Sequence, residues 1–224
     1  MRVEPFFNRE EAGRLLGEEV ARRIGRPADA IVLALPRGGV PVGYGVAQAL
    51  GVPLDVFVVR KLGVPGHEEL AMGAIASGGV RVLNDEVLEY LPIPPSAIEA
   101  VAEREERELH RREKSYRGKR PPLNVEGRTV VVVDDGLATG SSMRAAVRAL
   151  REMHPRTIVV AVPVAAPSTC EDFRQEAEPL ICLRTPEPFE AVGLWYRDFA
   201  QTTDEEVHAL LDRAAEPEGR RARA

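Results

Sequence analysis

The sequence TVVVVDDGLATGSS, residues 129–142, is the stretch from which the rest of the chain can be interpreted. An entirely apolar run ends at Asp134 and Asp135, and small or hydroxyl-bearing residues follow at once. Such a run is typical of a strand buried on both faces of a parallel sheet. Adjacent carboxylates repel each other, so the pattern predicts a cationic or hydroxyl-rich partner that offsets the repulsion. We therefore expect a strand over 128–134, a turn that carries the carboxylates, and a helix over 141–153.

Strands and helices also alternate on both sides of this stretch. Further apolar runs predict strands over residues 30–35, 54–60, 157–164 and 179–184. Apolar residues at helical spacing predict a helix over residues 9–25, and helices are also expected over residues 41–50 and 167–176. Because strands alternate with helices, the sequence predicts an α/β fold, a doubly wound, mainly parallel sheet flanked by helices.

The chain has 224 residues, a formal net charge of −5 and 44% hydrophobic residues. We expect a single domain over 1–215, with its core at about 26–183, and a polar tail over 216–224. The acidic balance disfavours nucleic acid as a partner. No run approaches the roughly 20 apolar residues of a membrane span, and no secretory segment is evident, so we expect a cytoplasmic protein. Cys170 and Cys182 fit no metal-ligand or redox spacing, and we expect both to be buried as small apolar residues.

Two segments have a composition of their own. Residues 61–80 hold five glycines and no clear period, which predicts a long mobile loop, a flexible lid that could contain a hairpin. Residues 96–117 place acidic residues four positions before arginines, which predicts a charged helix stabilised by its own ion pairs. The first segment is the better functional candidate, since long loops inside compact domains are often lids.

The residues after the aspartates could hold an anion. Small residues at a helix start let backbone N–H groups approach a phosphate, and the helix dipole favours the negative charge. Carboxylates followed by such a cup match a ribose 5-phosphate, with hydroxyls on one side and phosphate on the other. A Walker A loop is excluded because no lysine follows Gly140 and the glycine spacing is too short. A bare magnesium site, or an ordinary strand–turn–helix with exposed acids, remains as an alternative.

The stretch VVVVDDGLATGSS resembles the phosphoribosyl-pyrophosphate (PRPP) signature of type I phosphoribosyltransferases. Two further segments occur in the expected order. LPRGGVPVG (35–43) resembles the pyrophosphate-binding loop, and VRKLGVPGHEELAMGA (59–74) resembles the basic strand end that leads into a mobile catalytic loop. Within the family the chain is most similar to a group of undefined base specificity. The resemblance implies the type I phosphoribosyltransferase fold, with a small hood and a flexible lid.

The resemblance also implies roles for individual residues. Asp134 and Asp135 would hold the ribose hydroxyls, directly or through Mg²⁺, and would act in catalysis together with Lys61. The 5-phosphate would be bound by Ala138, Thr139, Gly140, Ser141 and Ser142. The pyrophosphate would be bound by Arg37, Gly38, Gly39, Arg60 and Lys61. Pyrophosphate loops of this family often contain a non-proline cis peptide, which would explain the paired glycines.

One position departs from the family pattern. Enzymes for 6-oxopurines usually carry an aspartate just before the loop threonine, where this chain has Ala138. The departure disfavours a hypoxanthine- or guanine-type mechanism, and it leaves the general acid or base unassigned.

The hood is expected in residues 184–212, outside the core sheet. Phe189, Trp195, Tyr196 and Phe199 lie close together in this part of the sequence. Trp195 and Tyr196 are the candidates for stacking on a planar base. The alternative is that these aromatic rings anchor the C-terminal helix to the sheet.

Together these features predict a Mg²⁺-dependent phosphoribosyltransferase. It would transfer the 5-phosphoribosyl group of PRPP to a nitrogen nucleophile, most simply a nucleobase, and release pyrophosphate. A non-catalytic regulator of the same fold that senses PRPP or a nucleotide is one alternative. A Mg²⁺-dependent phosphatase that uses either aspartate as nucleophile is another. Phosphoribosyltransferases are often dimers, so the resemblance also implies a homodimer.

Overall fold

The computed structural model describes residues 4–174 and 179–216. The strands are β1 (Ile31–Ala34), β2 (Leu54–Val56), β3 (Val59–Val64), β4 (His67–Ala76), β5 (Val80–Leu83), β6 (Thr129–Val133), β7 (Thr157–Val164) and β8 (Leu180–Arg184). The helices are α1 (Arg9–Ile24), α2 (Gly39–Leu50), α3 (Asp85–Tyr90), α4 (Pro95–Arg117), α5 (Ser141–Arg151), α6 (Pro167–Arg174) and α7 (Asp204–Ala215), with a 3₁₀ helix at Val192–Trp195. The last two residues of the helix predicted over 167–176, and the tail from residue 217 onward, lie outside the described residues.

Five strands form one parallel sheet in the order β2-β1-β6-β7-β8. The predicted α/β fold with a mainly parallel sheet is therefore confirmed. The strand predicted over 54–60 stays in this sheet only as far as Val56, after which the chain crosses into a second sheet. Strands β1 and β6 are neighbours, with Ala34 opposite Val133. Because the two strands are parallel, the loops that follow them leave the sheet side by side.

The apolar run of β6 packs into two cores, one on each face of the sheet. Val131 and Val133 join the core that contains buried residues of α1, α2 and α7. Val130 and Val132 join the core that contains buried residues of α5 and α6. All four side chains are fully buried, and each contributes about 1.5–3 kcal/mol relative to an exposed position. Burial on both faces explains why the run is continuous instead of alternating.

Residues 61–80 lie mostly in strands, so the segment contains the hairpin that the prediction allowed and is not an open loop; its role as a lid stays a prediction. Strands β3, β4 and β5 make an antiparallel three-stranded sheet, with the β3–β4 turn at Gly66, whose φ is 80°. Leu62, Met72 and Ile75 are buried in this sheet. Glycines and exposed residues separate the buried positions, and the β3–β4 register shifts near the end of β3. The regular alternation that identifies a strand is therefore missing from the sequence.

The charged helix predicted over 96–117 is α4. One expected pair is present, because Arg112 Nε lies 2.8 Å from Glu108 Oε1. The helix also pairs outside itself: Glu105 is buried and accepts two hydrogen bonds from Arg60 of β3. Some of the charged residues of α4 therefore hold the three-stranded sheet against this helix.

The cysteines behave differently from the expectation of two separate small apolar residues. Cys170 of α6 and Cys182 of β8 form a disulfide. The pair is separated by 12 positions, a spacing without a recognised signal, so the sequence did not predict it. No helix within residues 4–174 and 179–216 is long and apolar enough to cross a membrane.

Candidate active site

The loops after β1 and β6 lie against each other at the carboxyl edge of the sheet. A Cβ atom added to Gly38 would lie 2.1 Å from Asp135 Oδ2, and one added to Gly39 would lie 2.8 Å from the Val133 carbonyl oxygen. Any larger residue would collide at these positions, so the paired glycines allow the approach. The predicted non-proline cis peptide is present, between Pro36 and Arg37. Ligands of open parallel sheets bind at this edge.

Asp134 and Asp135 have different surroundings. Asp134 Oδ1 accepts a hydrogen bond from the Asp135 backbone N–H at 2.9 Å. Burial, followed by the neighbouring charge of Asp135, raises the pKa of Asp134 well above its usual range. Burial also raises the pKa of Asp135, against the opposing charge of Arg9. The two carboxylates are therefore not equivalent, since only Asp135 has a cationic partner among the described residues.

The cationic partner of the aspartate pair is Arg9, the first residue of α1. Its Nε and Nη2 atoms each lie 2.9 Å from Asp135 Oδ2. The Nη1 atom donates to the carbonyl oxygen of Ala200 at 2.7 Å, and the guanidinium carbon lies 3.8 Å from the centroid of the Phe199 ring. One side chain thus connects the N-terminal helix, the aspartates and the hood.

Sequence reasoning missed Arg9, although a weak local signal was present. Arg9 follows the N-cap Asn8, whose side chain accepts a hydrogen bond from the Glu11 backbone N–H. A cation in the first turn opposes the helix dipole, which favours acidic residues there. An unfavourable local position of this kind points to a partner elsewhere, but the sequence does not identify that partner 126 positions away.

The residues after the aspartates form an open cradle. Gly140 is left-handed, with φ 70°, and α5 begins at the next residue. The loop is held by hydrogen bonds to two of its backbone carbonyls: Thr169 donates to Ala138, and Arg144 Nη1 donates to Thr139 at 2.9 Å. Ala138, Thr139 and Ser142 are exposed and Ser141 is half-buried. The predicted 5-phosphate residues are thus together at a helix start, where backbone N–H groups favour an anion.

The predicted pyrophosphate residues are only partly brought together. Arg37 belongs to the loop against the aspartates, and its Nη1 atom lies 3.9 Å from Asp204 Oδ1. Arg60 instead forms an ion pair with Glu105, at 2.6 Å, which directs its guanidinium group to α4. Lys61 is exposed and lines a cavity between the second sheet and α5. The pyrophosphate and catalytic roles of Arg60 and Lys61 therefore stay predictions.

Tyr196 and Trp195, the two hood residues predicted to stack on a base, have different surroundings. Tyr196 is buried, and its hydroxyl donates to the Asp135 carbonyl oxygen at 2.6 Å. Its ring centroid lies 5.0 Å from that of Phe199 and 5.6 Å from that of Phe6. This placement favours the alternative in which Tyr196 anchors the hood, and its contact with a base stays a prediction. Trp195 is half-buried, its Nε1 has no hydrogen-bond partner in the described part of the chain, and its contact with a base stays a prediction.

A magnesium ion fits this edge of the sheet only with ligands from outside the chain. Within residues 4–174 and 179–216, no group of three or more His, Cys, Asp or Glu side chains could hold a metal. Asp135 is bound by Arg9, which leaves Asp134 as the available carboxylate. Magnesium is commonly held by one or two carboxylates together with substrate phosphates and water. The residues thus suit a Mg²⁺ ion that arrives with a phosphorylated ligand, and they do not form a protein-only cage.

Comparison with known proteins identifies the family. Residues 10–182 match the phosphoribosyl transferase domain. The chain is 46% identical over 209 residues to a Mycobacterium tuberculosis H37Rv protein provisionally named a phosphoribosyl transferase, a match that covers 93% of this chain but 47%, about half, of that protein. It is 30% identical over 128 residues to the bifunctional protein PyrR of Geobacter sp. strain M21, covering 54% of this chain and 71% of that protein. The crystal structure of TT1426 from Thermus thermophilus is 44% identical, with a TM-score of 0.85, and the match covers 95% of this chain and all of that one. The chain belongs to the phosphoribosyl transferase domain family.

Proposed function

We propose that the protein transfers the 5-phosphoribosyl group of PRPP to a nitrogen nucleophile and releases pyrophosphate. Family membership supports this reaction class. The observation that carries the proposal is the close apposition of the loop at Gly38 and Gly39 with Asp135, next to the open cradle of residues 138–142. One edge of the sheet would thus supply carboxylates for the ribose hydroxyls and two separate places for phosphate groups.

The ribose of PRPP would lie above the aspartates. Asp134 would accept hydrogen bonds from the ribose hydroxyls, while Asp135 would be held in place by Arg9. The backbone N–H groups of residues 138–142 would bind the 5-phosphate. Arg37 and the neighbouring glycine backbone would face the pyrophosphate. Bound Mg²⁺ would supply positive charge to the leaving pyrophosphate.

Most of the catalysis would come from position and charge. Loss of pyrophosphate leaves positive charge on the ribose ring, and a fixed carboxylate below the ring stabilises that charge more than it stabilises the ground state. Asp134 is the candidate for this role because no cationic side chain among the described residues forms an ion pair with it. Burial favours its neutral form, and the positive charge that develops on the ribose ring would favour the ionised form. The acceptor is expected under the hood near Trp195, with a nucleobase as the simplest candidate. A homodimer is part of the same proposal.

Calorimetric titration of PRPP, with and without Mg²⁺, tests the proposal directly. We expect Mg²⁺-dependent binding by the wild type and a loss of at least about 100-fold in affinity in the Asp134→Asn/Asp135→Asn variant. The control is Asp85→Asn/Glu86→Gln, which neutralises an adjacent acidic pair that is exposed on α3. Folded wild-type protein that does not bind PRPP would contradict the proposal.

A screen of nucleobases for pyrophosphate release then separates the transferase from the sensing regulator. Release with one base and not with others would identify the acceptor. Tight PRPP binding without release in the presence of any base would favour the regulator. Light scattering with and without PRPP measures the oligomeric state, and a monomer in both conditions would contradict the homodimer.

A further inference from the structure

A positively charged cavity lies between α5 and the three-stranded sheet. Its volume is about 190 Å³. It is lined by Lys61 of β3, by Ser141, Arg144, Ala145 and Arg148 of α5, and by residues of β4 and β5. The α5 residues among these follow helical spacing, so one side of the helix faces the sheet across the cavity.

The charges around this cavity are all of one sign. Lys61, Arg144 and Arg148 are cationic, and none of the described residues that line the cavity is acidic. The protein as a whole has a formal net charge of −5, so the cluster is not a consequence of composition. Like charges gathered around a partly enclosed space repel one another more strongly than they would in open solvent. An anion in the cavity would remove that repulsion.

The three cations differ in how they are held. Arg144 is fixed, because it donates to the Thr139 carbonyl and its guanidinium carbon lies 4.8 Å from the Phe173 ring centroid. It also lies 3.7 Å from Asp172, a largely exposed carboxylate of α6 that does not line the cavity. Lys61 and Arg148 are exposed and have no ion-pair partner in the part of the chain that the structure describes.

The cavity adjoins the proposed PRPP site and shares Lys61, a predicted pyrophosphate ligand, with it, but Arg37 and the loop at Gly38 and Gly39 do not line the cavity. Of the five residues in the cradle 138–142, only Ser141 reaches it, and neither Asp134 nor Asp135 lines it. Successive side chains of a strand such as β3 point to opposite faces, so the adjacent residues Arg60 and Lys61 lie on opposite sides of the second sheet. Arg60 points to α4 and binds Glu105, and Lys61 points to α5.

The size of the cavity limits the ligand. Sites for drug-sized ligands have volumes of about 300–1,000 Å³, and this cavity is smaller. A whole nucleotide is therefore too large to be enclosed, whereas a small multiply charged oxyanion matches both the volume and the three cations. We propose that the cavity between α5 and the three-stranded sheet binds inorganic phosphate or pyrophosphate, as a second anion beside the cradle 138–142. This site does not depend on the proposed transferase activity, although pyrophosphate would be a product of that reaction.

The test is calorimetric titration of inorganic phosphate and of pyrophosphate into the protein without PRPP or Mg²⁺. We expect Arg148→Gln to weaken the binding of the preferred anion about tenfold, and Lys61→Met/Arg148→Gln to weaken it further. The charge-matched control is Arg107→Gln/Lys114→Met, two exposed residues of α4, which should change the affinity by less than about twofold. Binding should also weaken as salt is raised, since screening shields the cations.

The two anions distinguish the source of the ligand. Tighter binding of pyrophosphate would identify the reaction product as the ligand, and tighter binding of phosphate would identify the free ion. Equal affinities in the wild type and both cavity variants, or no binding of either anion by the wild type at millimolar concentration, would overturn the proposal. Wild-type protein that binds an anion here but does not bind PRPP would overturn the transferase instead, so the two failures can be told apart.

Discussion

The two halves of the candidate active site are built in opposite ways. The half proposed to hold ribose and phosphate, called here the continuous half, is one stretch, residues 134–142, between a buried strand and a helix start. The other half joins distant parts of the chain: Arg9 bonds to the backbone of Ala200, 191 positions away, and packs on Phe199. Tyr196 closes this half from the hood by bonding to the Asp135 carbonyl.

This difference predicts different responses to substitution. The continuous half depends on a backbone conformation that glycine adopts easily, and on close contacts with the elements around it. Small changes there should abolish ligand binding. The other half, called here the distributed half, depends on several side-chain contacts that each contribute part of the stability. Each variant there should therefore lower the free energy of unfolding by only a part of the total. Three substitutions test this contrast, from the largest expected effect to the smallest.

Gly140→Ala should have the largest effect, and it acts on the continuous half. The left-handed φ of 70° costs a non-glycine residue about 1–2 kcal/mol. The added Cβ would also lie 2.5 Å from the ring of Phe173, and such overpacking costs about 1–3 kcal/mol more. We expect the free energy of unfolding to fall by about 4 kcal/mol. PRPP binding should be lost as well, as measured by denaturant unfolding and calorimetry.

Gly51→Ala separates the two causes. Gly51 is also left-handed, with φ 69°, but nothing lies within 4 Å of its added Cβ. It should therefore cost only the conformational part, about 1–2 kcal/mol, and leave PRPP binding intact. Equal losses of stability in the two variants would mean that the contact between Gly140 and Phe173 does not matter.

Arg9→Gln should have the second largest effect, and it acts on the distributed half. Arg9 and Asp135 have side chains that are only 11% and 17% exposed, so the substitution leaves a largely buried carboxylate without its cation. Losing one member of such a pair costs about 3 kcal/mol. PRPP binding should weaken but persist, because the cradle 138–142 does not contact Arg9. Arg9→Lys should recover only part of the stability, since an ammonium group cannot reproduce the planar fork or its packing on Phe199.

A double-mutant cycle isolates the pair itself. If Arg9 stabilises the protein mainly through Asp135, Arg9→Gln in the background of Asp135→Asn should cost about 1–2 kcal/mol less than in the wild type. Strictly additive losses would show that the contacts with Phe199 and Ala200 carry the effect. Those contacts would then make Arg9 a hood anchor with no bearing on the aspartates.

The same contrast explains what the sequence could predict. The positions of β6, the aspartates and α5 follow from the apolar run, the small residues after it and the helical spacing that comes next. Each of these signals is local. The cis peptide at Arg37 was also anticipated, because the paired glycines belong to the same short loop that resembles the family. Burial on both faces of the sheet makes such local patterns unusually clear.

The features that the sequence did not predict depend on contacts between residues that are distant along the chain. The local sequence around Arg60 does not show whether this side chain binds pyrophosphate or Glu105, because Glu105 lies 45 positions away. The aromatic cluster of the hood equally suits base stacking or anchoring, and only the hydroxyl contact of Tyr196 separates the two for that residue. Residues 61–80 escaped because glycines interrupt the alternation that reveals a strand.

Tyr196→Phe should have the smallest effect and sharpens the comparison at a single atom. The substitution keeps the buried ring against Phe199 and removes only the hydroxyl that donates to the Asp135 carbonyl oxygen. We expect the free energy of unfolding to fall by about 1 kcal/mol. Tyr90→Phe is the control, since that ring is 86% exposed and its loss of a hydroxyl should leave stability unchanged. An unchanged stability in Tyr196→Phe would mean that the hood does not hold the aspartate loop, and the distributed half would then rest on Arg9 alone.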